Sequence, residues 1–144
     1  MILRSDIVTA ARGWRDTPYL HQASLKGVGT DCLGLVRGVW REVIGHEPEK
    51  APAYSAVWAD TDPDEALAAA AGRHLQNVAL SEFREGDVLL FRWRSHLPAK
   101  HAGIATSRSR MVHAQEKAAV TEIDLSAWWL RHLAYVFRFP GVIG

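Results

Sequence analysis

Cysteine is almost missing from this 144-residue chain: there is one, Cys32. An internal disulfide is therefore excluded, and any cystine would have to join two chains. Long hydrophobic runs are missing too. No stretch approaches about 18 uninterrupted apolar residues, so no membrane insertion is expected. Lysine and arginine form no runs and the formal net charge is +1, so no nucleic-acid partner is expected. The opening Met1-Ile2-Leu3-Arg4-Ser5-Asp6 has no basic region followed by an apolar one, so no secretory signal is expected. Repeats and low-complexity tracts do not occur. What is present is an ordinary globular composition, 48% hydrophobic and 23% charged. The length suits one domain with a real core, and a single domain over 1–144 is expected.

Ser5 or Asp6 can cap a first helix reaching Arg12 or Trp14, which Thr17-Pro18 ends. Residues 19–29 read as a loop. A second helix begins at Cys32, because Cys32, Val36, Val39, Trp40 and Val43 recur on one face. Thr30 or Asp31 can cap its start and Gly45 its end. Gly34 and Gly38 lie inside it, each at a cost of about 1 kcal/mol relative to alanine. Close approach of another backbone would explain them. Residues 47–63 read as a long surface connection, and 63–72 as a short alanine-rich helix. The second half reads as strands over 88–93, 101–106, 110–115, 120–123 and 134–139. A turn at 85–87, a loop at 94–100 and a short helix at 125–133 separate them. Helices first and an antiparallel sheet second is an α+β arrangement.

Cys32 shares the apolar face of its helix, so its thiol should point inward toward the sheet. A helix N-terminus favours thiolate and lowers a cysteine pKa. A nearby base would make that thiol a nucleophile. His101, Gly103 and Ala105 share one strand face with little bulk beyond the imidazole. The glycine-bearing helix is a natural partner for that face, which would set Cys32 beside His101 as base. His113, on the next strand, suits a third, orienting role. This role carries a geometric condition. A two-residue loop at Arg108-Ser109 pairs His113 with Ile104, on the wrong face; a three-residue loop, Ser107 to Ser109, pairs it with Gly103, on the face of His101. The plainer readings stand beside this one. A lone cysteine is usually a small buried hydrophobe, and a lone histidine usually a satisfied one. A zinc site from Cys32, His101 and His113 has no local ligand spacing and no fourth ligand, so neither metal nor cofactor is called for. Trp14, Tyr19, Trp40, Trp128 and Trp129 read as core or half-buried aromatics.

Four blocks fall in order along the chain: Asp31-Cys32-Leu33-Gly34-Leu35-Val36, Glu85-Gly86-Asp87-Val88-Leu89-Leu90-Phe91, His101-Ala102-Gly103-Ile104-Ala105 and Val112-His113-Ala114. Together with Thr17-Pro18-Tyr19 they resemble the NlpC-type cell-wall peptidase family. The stretch from Tyr19 to Trp40 resembles the branch encoded in tailed-phage and gene-transfer-agent tail clusters. The resemblance implies a papain-like fold, with N-terminal helices packed on an antiparallel sheet. It also implies hydrolysis of peptidoglycan stem peptides, usually between D-glutamate and a diamino acid. Carried over by position, Cys32 is the nucleophile, His101 the base and His113 the orienting residue. Tyr19 and Asp31 match positions that shape the substrate site. Leu33 stands where many relatives have serine, in a position that often lines the substrate subsite. The resemblance further implies tail-tip or baseplate partners in a phage-like particle, made in the cytoplasm and acting on the periplasmic wall. Two alternatives belong with it: a structural tail-tip subunit keeping the fold, and an amidase or acyl-transfer enzyme on the same scaffold.

Overall fold

The computed structural model of the chain describes residues 1–49 and 65–144. Most of the expected 47–63 connection, and the start of the helix expected at 63–72, lie outside the described residues.

Helix α1 (Arg4–Arg12) buries Ile7, Val8 and Ala11. Neither Ser5 nor Asp6 caps it. The cap position is Leu3, without a side-chain bond, because Ile2–Leu3 (β1) pairs in parallel with Val142–Ile143 and leads straight into the helix. Residues 19–29 are not all loop: β2 (Ser24–Leu25) and β3 (Gly29–Thr30) form a small hairpin. Helix α2 (Cys32–Val43) begins as expected, with Asp31 Oδ1 accepting the Gly34 N–H at 2.7 Å. Leu35 and Val39 are fully buried, and Cys32, Val36 and Trp40 flank them. The two interior glycines have different causes. The Ala23 carbonyl occupies the space a Cβ on Gly34 would need, whereas the Trp14 indole, not a backbone, closes on Gly38.

After α3 (Ala66–His74) come β4 (Gln76–Val78), β5 (Val88–Phe91), β6 (His101–Ala105), β7 (Arg110–His113), β8 (Thr121–Asp124), α4 (Ala127–His132), β9 (Leu133–Arg138) and β10 (Val142–Ile143). One six-stranded antiparallel sheet runs β4-β9-β5-β6-β7-β8, so the late strand β9 inserts between β4 and β5. On one face, Ile7, Leu35, Val39 and Leu67 from the helices meet Val88, Leu90, Ala102, Ile104 and Val112. The other face carries Leu89, Phe91, Ala105, Met111 and Val136, with Trp93, Trp129 and Leu133 against it.

This corrects one expectation. Helix α2 covers the Ala102–Ile104 face and not the face of His101, Gly103 and Ala105. An apolar helix stripe gains more by covering Ile104, Val88, Leu90 and Val112 than by covering a glycine. The β6–β7 register meets the stated condition: Gly103 pairs with His113, Ile104 with Val112 and Ala105 with Met111. The connection is the odd-length one, and it puts both histidines on one face.

Candidate active site

The site forms where α2 begins and β6 begins. Cys32 is the first residue of α2, and its Sγ lies 3.8 Å from the Lys100 carbonyl oxygen. The N–H groups of Ala102, Leu33 and Cys32 itself also face the sulphur. Lys100 and Ala102 are the residues on either side of His101. The sulphur therefore sits against the backbone on both sides of His101, at the strand end, and not across a flat small-residue face.

His101 and His113 are almost fully buried, with His101 Nε2 at 2.8 Å from His113 Nδ1. Their rings meet edge to face, with centroids 5.1 Å apart at 87°. Burial pushes the His101 imidazole down to about 3, helped by His113, and pushes His113 down to about 4. Both rings are neutral at neutral pH. The thiol behaves differently from the expectation. Burial, with the Asp31 carboxylate adding, pushes Cys32 up to about 11. The three N–H groups pull the other way and lose, because enclosing a sulphur anion costs more than a few peptide dipoles return. The resting site thus pairs a neutral thiol with a neutral imidazole.

Asp31 is buried and braces the neighbouring loop, accepting the Gln22 N–H at 2.8 Å. Tyr19 bridges to Thr30 and is half-buried. Burial pushes its hydroxyl up to about 12, with Cys32, Asp31 and Glu116 adding negative charge nearby. Tyr19, Asp31 and Cys32 are thus brought together. Leu33 goes elsewhere: it packs on the core and lines an apolar cavity of about 420 Å³ with Val36, Trp40, Leu67, Val88 and Leu90. Among the described residues, no three His, Cys, Asp or Glu are grouped to hold a metal ion.

The sequence reading missed the aromatic surround. Trp93 stacks on His101 with centroids 5.4 Å apart at 28°. Trp129 meets His113 edge-on at 5.3 Å and 84°, and Phe91 lies 6.2 Å from His101. One signal was available: Phe91 pairs with His101 in register, so Trp93, two residues on, falls beside that histidine.

Helices α1 to α3 on one face of an antiparallel sheet, with a cysteine opening a helix at the end of a strand pair that carries two histidines, define a papain-like α+β protein. Residues 16–138 match the NlpC/P60 family, and the chain belongs to that family, whose members are cell-wall peptidases. It is 26% identical over 138 residues to the gamma-DL-glutamyl hydrolase of Bacillus subtilis, covering 94% of this chain. The chain spans 29% of the length of that relative. The NlpC/p60 domain of the peptidoglycan hydrolase SagA superposes with a TM-score of 0.65 at 18% identity, covering 94% of this chain and 98% of that one. An NlpC/P60 family protein from Bacillus cereus superposes with a TM-score of 0.68 at 17% identity, covering 94% and 40%.

Proposed function

We propose that the protein is a cysteine endopeptidase that hydrolyses peptidoglycan stem peptides at the bond between D-glutamate and a diamino acid. The observation that carries this reading is the setting of Cys32 Sγ between Lys100 and Ala102, with His101 held by His113 at 2.8 Å. His101 takes the thiol proton on Nδ1 as sulphur attacks the scissile carbonyl. Its Nε2–H donates to His113 Nδ1, which holds the ring and stays neutral. The N–H groups at the start of α2 stabilise the oxyanion. The C–N bond then breaks, His101 passes the proton to the departing amine, and water releases the acyl group from sulphur with His101 as base again. Tyr19 and Asp31 line the acyl side of this site. The likeness to a gamma-DL-glutamyl hydrolase supports a γ-linked D-glutamyl bond.

In this reading the enzyme travels at the tail tip of a phage-like particle, among tail-tip or baseplate proteins. It is made in the cytoplasm and acts on the periplasmic wall. The support is the resemblance of residues 19–40 to the tail-encoded branch. The test is digestion of purified peptidoglycan by wild type and by Cys32→Ala, with fragments identified by mass. New D-glutamate carboxyl ends from wild type alone support the reading, and equal activity from both proteins sinks the thiol mechanism. No activity from either, with folded protein bound to tail proteins, favours a structural subunit. Acyl transfer to an added amine favours the transferase.

A further inference from the structure

Helix α4 leaves much of its apolar surface in solvent. Its six residues turn Trp129 inward, onto the sheet face opposite α2. Trp128 and Leu130 stand on either shoulder of Trp129, about 100° around the helix in each direction. They are 44% and 45% exposed, and Ala127 and Arg131 between them are exposed too. The core gains little from two large apolar side chains in these positions, so the fold does not account for them.

These side chains are held in place. Trp128 stacks on His132 at 4.0 Å and 22°, and it meets Trp129 edge-on at 5.0 Å. Trp93, from the loop after β5, lies 5.8 Å from Trp128 between centroids. That loop is braced in turn. The Leu97 N–H donates to the Arg94 carbonyl at 3.1 Å, and Arg92 donates to the Leu97 carbonyl at 2.8 Å. The result is a fixed aromatic wall, which Leu130 extends across α4.

The charge around this wall has one sign. Residues 91–100 supply Arg92, Arg94, His96 and Lys100, and residues 126–133 supply Arg131 and His132; neither stretch holds a carboxylate. Arg92 is engaged by Glu65 at 2.7 Å, while Arg94 and Arg131 are exposed. The nearest acid before α4 in sequence, Asp124, is held by Arg110 at 2.7 Å. An apolar surface rimmed by arginine is complementary to a partner that is greasy beneath and anionic on top.

We propose that this face rests on an anionic phospholipid surface, with Trp128 and Leu130 at headgroup depth and Arg94 and Arg131 against the lipid phosphates. Indole rings beside cations are favoured at that depth, where one side of the ring is apolar and the other wet. The chain lies on the bilayer and does not cross it: among the described residues, no helix is long and apolar enough to span a membrane. A sugar strand suits the face less well. His132 covers one face of Trp128, Trp93 and Trp129 crowd it further, and the side chain protruding beyond them is the aliphatic Leu130. The proposal does not depend on the peptidase chemistry.

The experiment is co-sedimentation of the whole chain with vesicles of phosphatidylcholine alone and of phosphatidylcholine mixed with phosphatidylglycerol. Wild type should sediment with the anionic vesicles at least about fivefold more than with the neutral ones, and the excess should vanish as salt rises from about 0.05 to about 0.5 M. Trp128→Ala should lower the bound fraction at least about fivefold. Leu130→Ser and Arg131→Gln change exposed side chains, so the fold is kept, and each should lower it at least about twofold. No sedimentation of wild type with anionic vesicles overturns the proposal, as does binding that all three variants retain. Retention on purified peptidoglycan that the same variants lose, with no vesicle binding, also overturns it and gives the face to the wall polymer.

Discussion

Strands β5 and β6 bury polar groups at both of their ends, and the two ends solve the problem oppositely. At one end lie Cys32, His101 and His113, all uncharged at neutral pH. At the other, roughly 13 Å along the strand, lies Asp87, with no exposed surface. It is held by Arg138 at 2.8 and 2.9 Å, by Arg4 at 3.2 Å and by the Arg84 N–H at 2.9 Å. Nearby, Glu122 serves Arg12 and Arg110 and accepts the Thr106 hydroxyl. The charged end has its partners already and nothing left to do. At the other end the thiol and the two imidazoles have a proton to move and carry no charge of their own until it moves. Full ionic pairing marks an anchor, and buried neutral groups poised to become an ion pair mark a reaction site.

Removing one group from each end should split the two properties. Cys32→Ala should lower peptidoglycan digestion by about 10⁴-fold or more with the melting temperature nearly kept, as read by fragment release and circular dichroism. Asp87→Ala should do the reverse. It leaves two guanidinium groups uncompensated, costs about 3–5 kcal/mol, and lowers the melting temperature by about 10 °C. Equal stability losses from the two variants would erase the distinction between the ends.

Within the neutral end, His113→Ala should lower kcat/KM about 100-fold, and His113→Asn should recover part of it, because an amide oxygen can accept the His101 Nε2–H. Identical losses in both variants would show that His113 only fills space.

Acid should separate the ends by pH window. His101 and His113 fold with pKa values near 3 and 4, below the ordinary 6.5, so the unfolded chain binds their protons first. Their contribution to stability is intact above about 6.5 and is lost as pH falls toward 4 and then 3. The hydrogen bond from Arg12 holds Glu122 at about 2, below the ordinary 4.5, and Thr106 and Arg110 act in the same direction. Its contribution is present above about 4.5 and disappears as pH falls toward 2. Urea unfolding at pH 7, 5.5 and 4 should show falling stability, and His113→Asn should flatten the fall between 6.5 and 4. An unchanged slope in that variant would remove His113 from this account.

The two ends were also unequally legible in the sequence. The start of α2 and a cap at Thr30 or Asp31 follow from local chemistry, and a period of two puts His101 and His113 on one face once the loop between their strands has three residues. They needed no knowledge of distant pairing. The strands β1, β10, β2 and β3 are two residues long, so they show no period at all. The insertion of β9 between β4 and β5 is a long-range choice that no local pattern records. The Asp87–Arg4–Arg138 anchor joins residues far apart in sequence, as does the wall of Trp93 and Trp128. The thiol was misjudged because the helix terminus is visible in the sequence, whereas the enclosure of the sulphur depends on β6.

The turn between β6 and β7 makes the site depend on one closing pair. The Thr106 N–H donates to the Arg110 carbonyl at 2.9 Å, and that pairing sets Gly103 opposite His113. A slip of one residue that set Ser107 opposite Arg110 would turn His113 toward the helices and bring Ala114 opposite Gly103, with the chemistry-bearing residues all still present. The loop between the two can drift in sequence and in length while that clasp holds, some distance from the atoms it protects.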